Sequence, residues 1–527
     1  MGPHRAVVHF LLLAGLVAAC AAEQTTPSAI PPSPTSTLPT QATPDVTETP
    51  EPRPTASVAL AAWIANQQLA MTEEARSDVP TLEHISRHDI DLSIGIESLT
   101  LTARQTTMYT NNAPEPLEEV RFNLFPNSSR FGASMEIERV TIDGAEWPFE
   151  YLGHRTVAKV SLPEPLKPGE TITVTLDFSA RVPHVQKNYF LVFVLAQGVI
   201  SLGDWHPMVA VYDDQGWNLE YPEGTVGEIV FSESAFYTVR ITLPQGLGLD
   251  VIATGVEAAP VQNPDGTETR VFYSGPVRDF HLLVSDRYEV TTGRAGDTTI
   301  NSYYWPEHEA CGREALGFAE QALLLYSELF GAYPFSELDL AEADLWPWAI
   351  EWPGLILVGE PLYSDPAEAC GEWHVVHEVA HQWWYSVVGN DQVDDPWLDE
   401  ALANYSTVLY YKITHDTQTA AAAIEEHIDR RYQAYVQSYG DGIAGGPTRE
   451  YTRSSYYPLV YAKGALFFDA LRGEMGDEPF FRGLQTYYED FKYRVATPAD
   501  LLHTMEHAHG QPLEEFFQRW VFSAEGI

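Results

Sequence analysis

The stretch EWHVVHEVAHQWW, residues 372–384, places three histidines and a glutamate on one predicted helix. On an α-helix, His377 and His381 lie about 40° apart and about 6 Å along the axis, so both imidazoles can reach one metal ion. His374 lies about 10.5 Å from His381 along the axis, which is too far for the two to share an ion easily. A pair formed by His374 and His377 remains possible on geometry alone.

Glu378 favours the pair of His377 and His381. In the pattern His-Glu-x-x-His the glutamate follows the first ligand, where it can reach a water at the metal without binding the metal itself. A helix with two ligands needs a third, and Glu400 follows His381 after 18 residues, within PWLDEALANY. The sequence therefore predicts a zinc site with these two histidines and Glu400 as ligands and Glu378 as general base. His374 is expected to lie outside the metal's own ligands.

This combination resembles the zinc aminopeptidases of the aminopeptidase N type, which are gluzincins with a thermolysin-like catalytic domain. Three further segments are similar to that family: GAYPFSELDL at 331–340, VYAKGALFFDALR at 460–472 and TPADLLHTMEHAHGQPLEEFFQRWV at 497–521. The resemblance runs from about residue 90 to the end of the chain and is strongest in the second half. It implies a peptidase with one zinc ion per chain that removes N-terminal residues from peptides.

The resemblance also implies roles for two residues outside the zinc site. Tyr461 corresponds to the hydroxyl that stabilises the oxyanion, where negative charge develops on the former carbonyl oxygen. Glu351, within WAIEWPGL at 348–355, corresponds to the glutamate that binds the free α-amine of the substrate. A carboxylate there pairs with the ammonium group of the substrate, so the enzyme is expected to cleave next to a free N-terminus. The family's glycine and asparagine in this motif are Trp348 and Trp352 here, so bulkier subsite walls are expected.

Two other functions are compatible with the same motifs. A thermolysin-like endopeptidase would share the zinc site, and Glu351 is the residue that distinguishes it. A cell-surface binding protein with an inactive or structural zinc site is the second, but a structural site needs neither Glu378 nor Tyr461.

The chain ends at Ile527, after the predicted catalytic domain. The C-terminal helical domain of many relatives is therefore expected to be absent, and an open cleft could admit longer peptides.

The N-terminus is typical of an exported protein. Residues 1–20, MGPHRAVVHFLLLAGLVAAC, carry Arg5 before an apolar run that is too short to span a bilayer. LVAAC resembles a bacterial lipobox, which implies cleavage before Cys20 and a lipid anchor at the outer face of a bacterial membrane. An ordinary secretory signal is the alternative. Residues 21–58 are rich in Pro, Thr and Ser and predict a disordered tether.

The rest of the chain predicts a multidomain protein with two different folded parts. Residues 59–290 open with helical composition between 60 and 76 and then alternate with period two, as at Ile90, Leu92 and Ile94. This pattern predicts an all-β domain, and the resemblance implies a saddle-like β-sandwich. Residues 291–527 combine amphipathic helices with a few short strands, which predicts an α+β, mostly helical, thermolysin-like zinc peptidase domain.

Charge and cysteine content limit the partners and the chemistry. The chain has 30 Lys and Arg against 74 Asp and Glu, a net charge of −44, which repels phosphate backbones and argues against nucleic-acid binding. Peptides and, through the anchor, a membrane are the expected partners. Cys311 and Cys370 can pair in an oxidising compartment, or they can remain two thiols, because a sequence gives no Cα distance.

Overall fold

The structure is a computed structural model that describes residues 56–185, 192–219, 226–228, 230–345 and 349–524. The predicted signal segment and nearly all of the predicted tether lie outside these residues, and so does Cys20. Within the described residues no helix has both the length and the apolar character needed to cross a membrane.

The first half of the described chain is built from β-sheet, as its period-two pattern predicts. Ile90, Leu92 and Ile94 are buried along the strand Ser86–Gly95, while the residues between them are exposed, so this strand has one core face. It lies in the middle of the largest sheet. The strands of that sheet, in spatial order, are Val256–Glu257, Thr267–Val277, Ala235–Pro244, Ser86–Gly95, Thr100–Thr110, Thr171–Arg181, Ser134–Ile142 and Ala145–Trp147, with Val261–Gln262 also paired to Thr267–Val277.

Smaller sheets complete this β-rich half. One four-stranded sheet has the order Asp250–Ala253, Leu282–Ser285, Val199–Leu202 and Phe193–Ala196. A second has the order Met208–Val209, Leu117–Asn123, Val157–Leu166 and Glu150–Leu152, and Tyr212–Asp213 pairs with Gly216–Trp217. Their apolar faces and that of the large sheet contribute to one continuous core.

The lead-in helix is shorter than its composition predicts. Helix α1, Ala56–Gln67, ends nine residues before the predicted end, and single 3₁₀ turns continue to Thr81. Tertiary contacts decide this end, because the fully buried Gln67 donates from Nε2 to the carbonyl of Tyr237 at 3.0 Å and accepts from the backbone N–H of Gly275 at 3.0 Å. Met71 then forms a β-bridge with Phe335 in the second half of the chain.

The second half begins with a mixed five-stranded sheet. Its order is Glu289–Ala295, Thr298–Tyr304, Glu337–Ala343, Leu355–Gly359 and Ala349–Trp352. The three central strands are parallel, and the last strand pairs antiparallel with Leu355–Gly359 as an edge strand. Glu351 lies on that edge strand, which packs next to the helix that carries the histidines.

The remaining chain is helical. The helices are α2 Glu309–Phe330, α3 Glu360–Ser364, α4 Glu372–Ala380, α5 Trp397–Thr414, α6 Thr417–Ile424, α7 Arg430–Tyr439, α8 Gly464–Met475, α9 Asp477–Phe491, α10 Pro498–His509 and α11 Glu514–Trp520, with π-helical turns at Glu425–Asp429 and Tyr457–Lys463 and a strand pair Val388–Gly389 and Arg494–Val495. Thr497 caps α10, with Pro498 in its first turn. The predicted combination of a β-rich domain with a mostly helical catalytic region is confirmed.

One covalent link crosses this second half. Cys311 near the start of α2 and Cys370 just before α4 form a disulfide with a Cα–Cα distance of 5.0 Å. Of the two alternatives for these cysteines, the structure has the pair. The disulfide ties α2 to the turn from which the histidine helix begins.

Candidate active site

Helices α4 and α5 bring the three predicted metal ligands together. His377 lies on α4, His381 follows its last residue, and Glu400 lies in the first turn of α5. The two Nε2 atoms are 3.1 Å apart, and Glu400 Oε2 lies 3.3 Å from His377 Nε2 and 3.2 Å from His381 Nε2. All three side chains are buried. The three ligand atoms therefore form a nearly equilateral triangle.

The size of this triangle fits a tetrahedral zinc ion. Ligand atoms that are about 2.0–2.1 Å from a tetrahedral zinc are about 3.3 Å from one another. The three edges measure 3.1, 3.3 and 3.2 Å, so one ion can contact His377, His381 and Glu400 at zinc distances. Two imidazoles and one carboxylate are also a donor set that catalytic zinc prefers.

Hydrogen bonding prepares the ligands for a metal. His381 Nδ1 lies 3.0 Å from the carbonyl oxygen of Trp384, which can only accept, so Nδ1 carries the proton and Nε2 presents its lone pair to the triangle. Burial opposes ionisation of Glu400, but the two neighbouring imidazoles outweigh it and lower the pKa of Glu400 to about 2. Burial also lowers the pKa of His377, which favours its neutral, metal-binding form.

Tyr461 stands beside the triangle. Its hydroxyl donates to Glu400 Oε1, and its ring stacks on His377 with centroids 5.7 Å apart. The π-helical turn Tyr457–Lys463 carries it, and α8 begins directly afterwards. Gly464 makes this position possible, because a Cβ there would lie 2.3 Å from the Cβ of Ala401 on α5. Without a side chain, the turn can approach α5 closely enough to place Tyr461 at Glu400.

Glu378 and Glu351 lie on the other side of His381. One ligand atom from each of Glu351, Glu378 and His381 lies within 4.8 Å of the others, and all three side chains are buried. Glu378 Oε2 has no hydrogen-bond partner among the described residues, so it is available to a small polar molecule in the site. Burial and the nearby Glu351 carboxylate raise the pKa of Glu378.

Several polar residues around the site have no signal in the sequence motifs. Asp399 and Gln392 form hydrogen bonds behind Glu351, and Glu228 comes from the β-rich half. Partial burial and the neighbouring Glu351 carboxylate raise the pKa of Glu228 to about 7. Tyr456 stacks edge-on against Tyr461 with centroids 5.6 Å apart. Only Asp399, directly before Glu400, could have been suspected from the sequence, as an acidic neighbour of a ligand.

The structure corrects one expectation and is consistent with another. Trp352 is not a wall of a subsite: it is 6% exposed and stacks on His281 at 4.5 Å, because it lies on the face of the edge strand opposite Glu351. Trp348 lies outside the described residues. His374 is outside the ligand triangle, as its axial distance predicts, and its ring lies 6.2 Å from that of His427.

The fold and this arrangement have the ligand pattern of zinc metallopeptidases of the His-Glu-x-x-His class with a glutamate as third ligand. In a comparison with known proteins, residues 315–520 match the peptidase family M1 domain. This match, together with relatives by sequence that include an aminopeptidase N, confirms the resemblance to the aminopeptidase N type.

The relatives by sequence are longer aminopeptidases. Aminopeptidase N of Lactobacillus delbrueckii subsp. lactis is 24% identical over 433 residues, which cover 73% of this chain and 46% of that protein. Glutamyl aminopeptidase of Homo sapiens is 24% identical over 305 residues, which cover 55% of this chain and 32% of that protein. The chain thus spans less than half the length of these relatives.

Solved structures match a larger share of the fold. An M1 zinc metallopeptidase of Deinococcus radiodurans has a TM-score of 0.63 and 21% identity, covering 83% of this chain and 93% of that one. A mutant of that enzyme bound to a Tyr-Ser-Ala substrate gives a TM-score of 0.62 at 20% identity, covering 84% and 94%. At this identity the likeness establishes the architecture of both halves.

Proposed function

We propose that the protein is a zinc-dependent aminopeptidase. The observation that carries this proposal is the pair of overlapping clusters, in which His377, His381 and Glu400 form a triangle of zinc dimensions and Glu351 stands within 4.8 Å of Glu378 and His381. The bound zinc would polarise the scissile carbonyl and make water more acidic. Relatives named aminopeptidases, and a related enzyme solved with a tripeptide, support peptides as substrates.

In this proposal the side chains around the triangle have three separate roles in the reaction. Glu378 takes the proton of the attacking water and passes it to the leaving amine. The Tyr461 hydroxyl donates a hydrogen bond to the oxygen on which negative charge develops. Glu351 pairs with the α-ammonium of the substrate, so the scissile bond is the first one in the peptide. An endopeptidase would have no use for a carboxylate at that position.

A digest of matched peptides tests this function. We expect the purified zinc-loaded protein to release the first residue from peptides with a free N-terminus and to hydrolyse aminoacyl-p-nitroanilides, whereas N-acetylated peptides stay intact. Cleavage of N-acetylated peptides at internal bonds would instead establish the endopeptidase. Loss of both activities in a zinc-replete protein would leave only a binding function.

We also propose that the protein is exported and held at the outer face of a bacterial membrane by a lipid on Cys20. The support is the sequence: an apolar segment that ends in LVAAC, followed by a Pro-, Thr- and Ser-rich tether. We expect Cys20→Ser to move the protein from the membrane fraction to the soluble fraction without loss of activity. An unchanged membrane fraction would contradict the anchor.

A further inference from the structure

A buried glutamine connects the amine-binding position to the zinc site. Gln392 lies in the turn that precedes α5 and is 4% exposed. Its Nε2 donates to Asp399 Oδ2 at 2.7 Å and to Glu351 Oε1 at 3.4 Å. One amide group thus bridges two carboxylates from different elements, the edge strand of the sheet and the first turn of α5.

The orientation of this amide is fixed by its neighbours. The carboxylates of Asp399 and Glu351 are acceptors when ionised, so they require the NH₂ group of Gln392 on their side. With Asp399 ionised, the flipped amide would bring its carbonyl oxygen to 2.7 Å from a carboxylate oxygen, which is repulsive. Gln392 therefore offers two N–H groups, one for each carboxylate.

The backbone around Gln392 is also held in place. Asp391 Oδ1 accepts from the backbone N–H groups of Val393 at 2.9 Å and Asp394 at 3.0 Å, which closes the turn. The N–H of Thr448 donates to the carbonyl of Val393 at 2.8 Å and ties the turn to a distant segment. Gln392 is thus presented from a rigid turn.

Asp399 is the fixed end of the bridge. It is 1% exposed, and its Oδ1 accepts from Asn390 Nδ2 at 3.1 Å and from the backbone N–H of Glu400 at 2.9 Å. With Oδ2 bound to Gln392, its carboxylate has partners on both oxygens. Glu351, by contrast, has Gln392 as its one side-chain hydrogen-bond partner among the described residues.

We propose that Gln392 is a positioning residue for recognition of the substrate's N-terminus. By donating to Glu351 Oε1 it holds that carboxylate in one orientation, in which its charge faces the cleft next to Glu378 and His381. It touches neither the metal ligands nor the reacting atoms, and its contact with the amine-binding position is the hydrogen bond to Glu351. This inference rests on the proposed aminopeptidase function, because it concerns the residue assigned to the α-ammonium.

Steady-state kinetics of Gln392→Met test the proposal. Methionine keeps the length of the side chain and removes the amide. We expect KM for an aminoacyl-p-nitroanilide to rise about tenfold, the worth of a hydrogen bond to a charged group, while kcat stays within about twofold. Gln67→Met is the matched control: it removes the amide of another buried glutamine, one that bonds to Tyr237, Thr238 and Gly275, and KM should not change.

A double-mutant cycle separates positioning from a general structural effect. In a Glu351→Gln background the change at Gln392 should have no further effect on KM, because the residue through which it acts is already impaired. A KM equal to that of the wild type in Gln392→Met, or a tenfold rise that persists unchanged in the Glu351→Gln background, would overturn the proposal. Failure of the proposed function is a different result, since the wild-type protein would then not hydrolyse the substrate at all.

Discussion

Removal of the disulfide between Cys311 and Cys370 should lower the melting temperature by an amount that the structure fixes. The bond closes a loop with a sequence separation of 59 residues, which contains most of α2 and three strands of the five-stranded sheet. For a loop of about 60 residues, the loss of chain entropy in the unfolded state corresponds to about 4 kcal/mol of stability at 25 °C.

The expected temperature shift follows from the size of the cooperative unit. Unfolding entropy is about 2.1 cal/mol/K per residue, so the roughly 470 residues of the unit Thr55–Ile527 give about 1 kcal/mol/K. A loss of about 4 kcal/mol then corresponds to about 4 °C. A large unit shows a modest shift even for a strong cross-link.

Calorimetry of three samples provides the test. The double variant Cys311→Ser with Cys370→Ser should melt about 4 °C below the wild type at equal zinc concentration. In a reducing agent the wild type should have the same melting temperature as the double variant. The reducing agent should not change the melting temperature of the double variant. Equal melting temperatures for the wild type and the double variant would refute the loop-entropy reasoning.

Three further predictions concern the zinc site. Glu378→Gln should lower kcat by about 10²- to 10⁴-fold, because the general base is lost. Atomic absorption should show an unchanged zinc content. Full activity of this variant would contradict the role of Glu378 as general base. Tyr461→Phe should lower kcat by about 10- to 100-fold with little change in KM, because the hydroxyl acts on charge that develops during the reaction; an effect on KM alone would indicate a role in binding. Chelation of zinc should abolish hydrolysis and lower the melting temperature, while the far-ultraviolet circular dichroism is retained. Added zinc should restore the activity and the melting temperature. A loss of the helical signal on chelation would show that the metal is needed for folding.

The metal ligands could be predicted from the sequence because their geometry is largely local. One helical turn fixes His377 relative to His381, the same periodicity separates His374 from His381, and Glu378 decides between the two possible pairs. Glu400 could be predicted only from the 18 residues that separate it from His381, because no periodicity relates residues on two different helices. The alternation in the β-rich half and the cap at Thr497 are also local features, and the structure contains both.

The surroundings of the site depend on contacts between distant segments and could not be predicted in this way. Gln392 and Glu228 lie in segments without periodicity. Gln392 meets Glu351 across 41 residues of chain, and Glu228 comes from the β-rich half, so neither position follows from a local pattern. The pairing of Cys311 with Cys370 needs a Cα distance, which only the fold supplies. Trp352 was assigned to the cleft by motif position, but alternation along the edge strand turns it to the opposite face from Glu351.

The charges of the site explain why its parts belong together. Four buried carboxylates, those of Glu351, Glu378, Asp399 and Glu400, lie close together, and none of them forms an ion pair with a lysine or arginine in the described part of the chain. Burial and repulsion from the neighbouring carboxylates raise the pKa of Glu351, Glu378 and Asp399, that of Asp399 to about 8, whereas the two histidines keep Glu400 ionised. A divalent cation beside Glu400 and an ammonium beside Glu351 would each relieve this repulsion. The same electrostatics that makes the cluster costly in the protein alone therefore favours zinc and a substrate with a free N-terminus, and it favours them at adjacent positions.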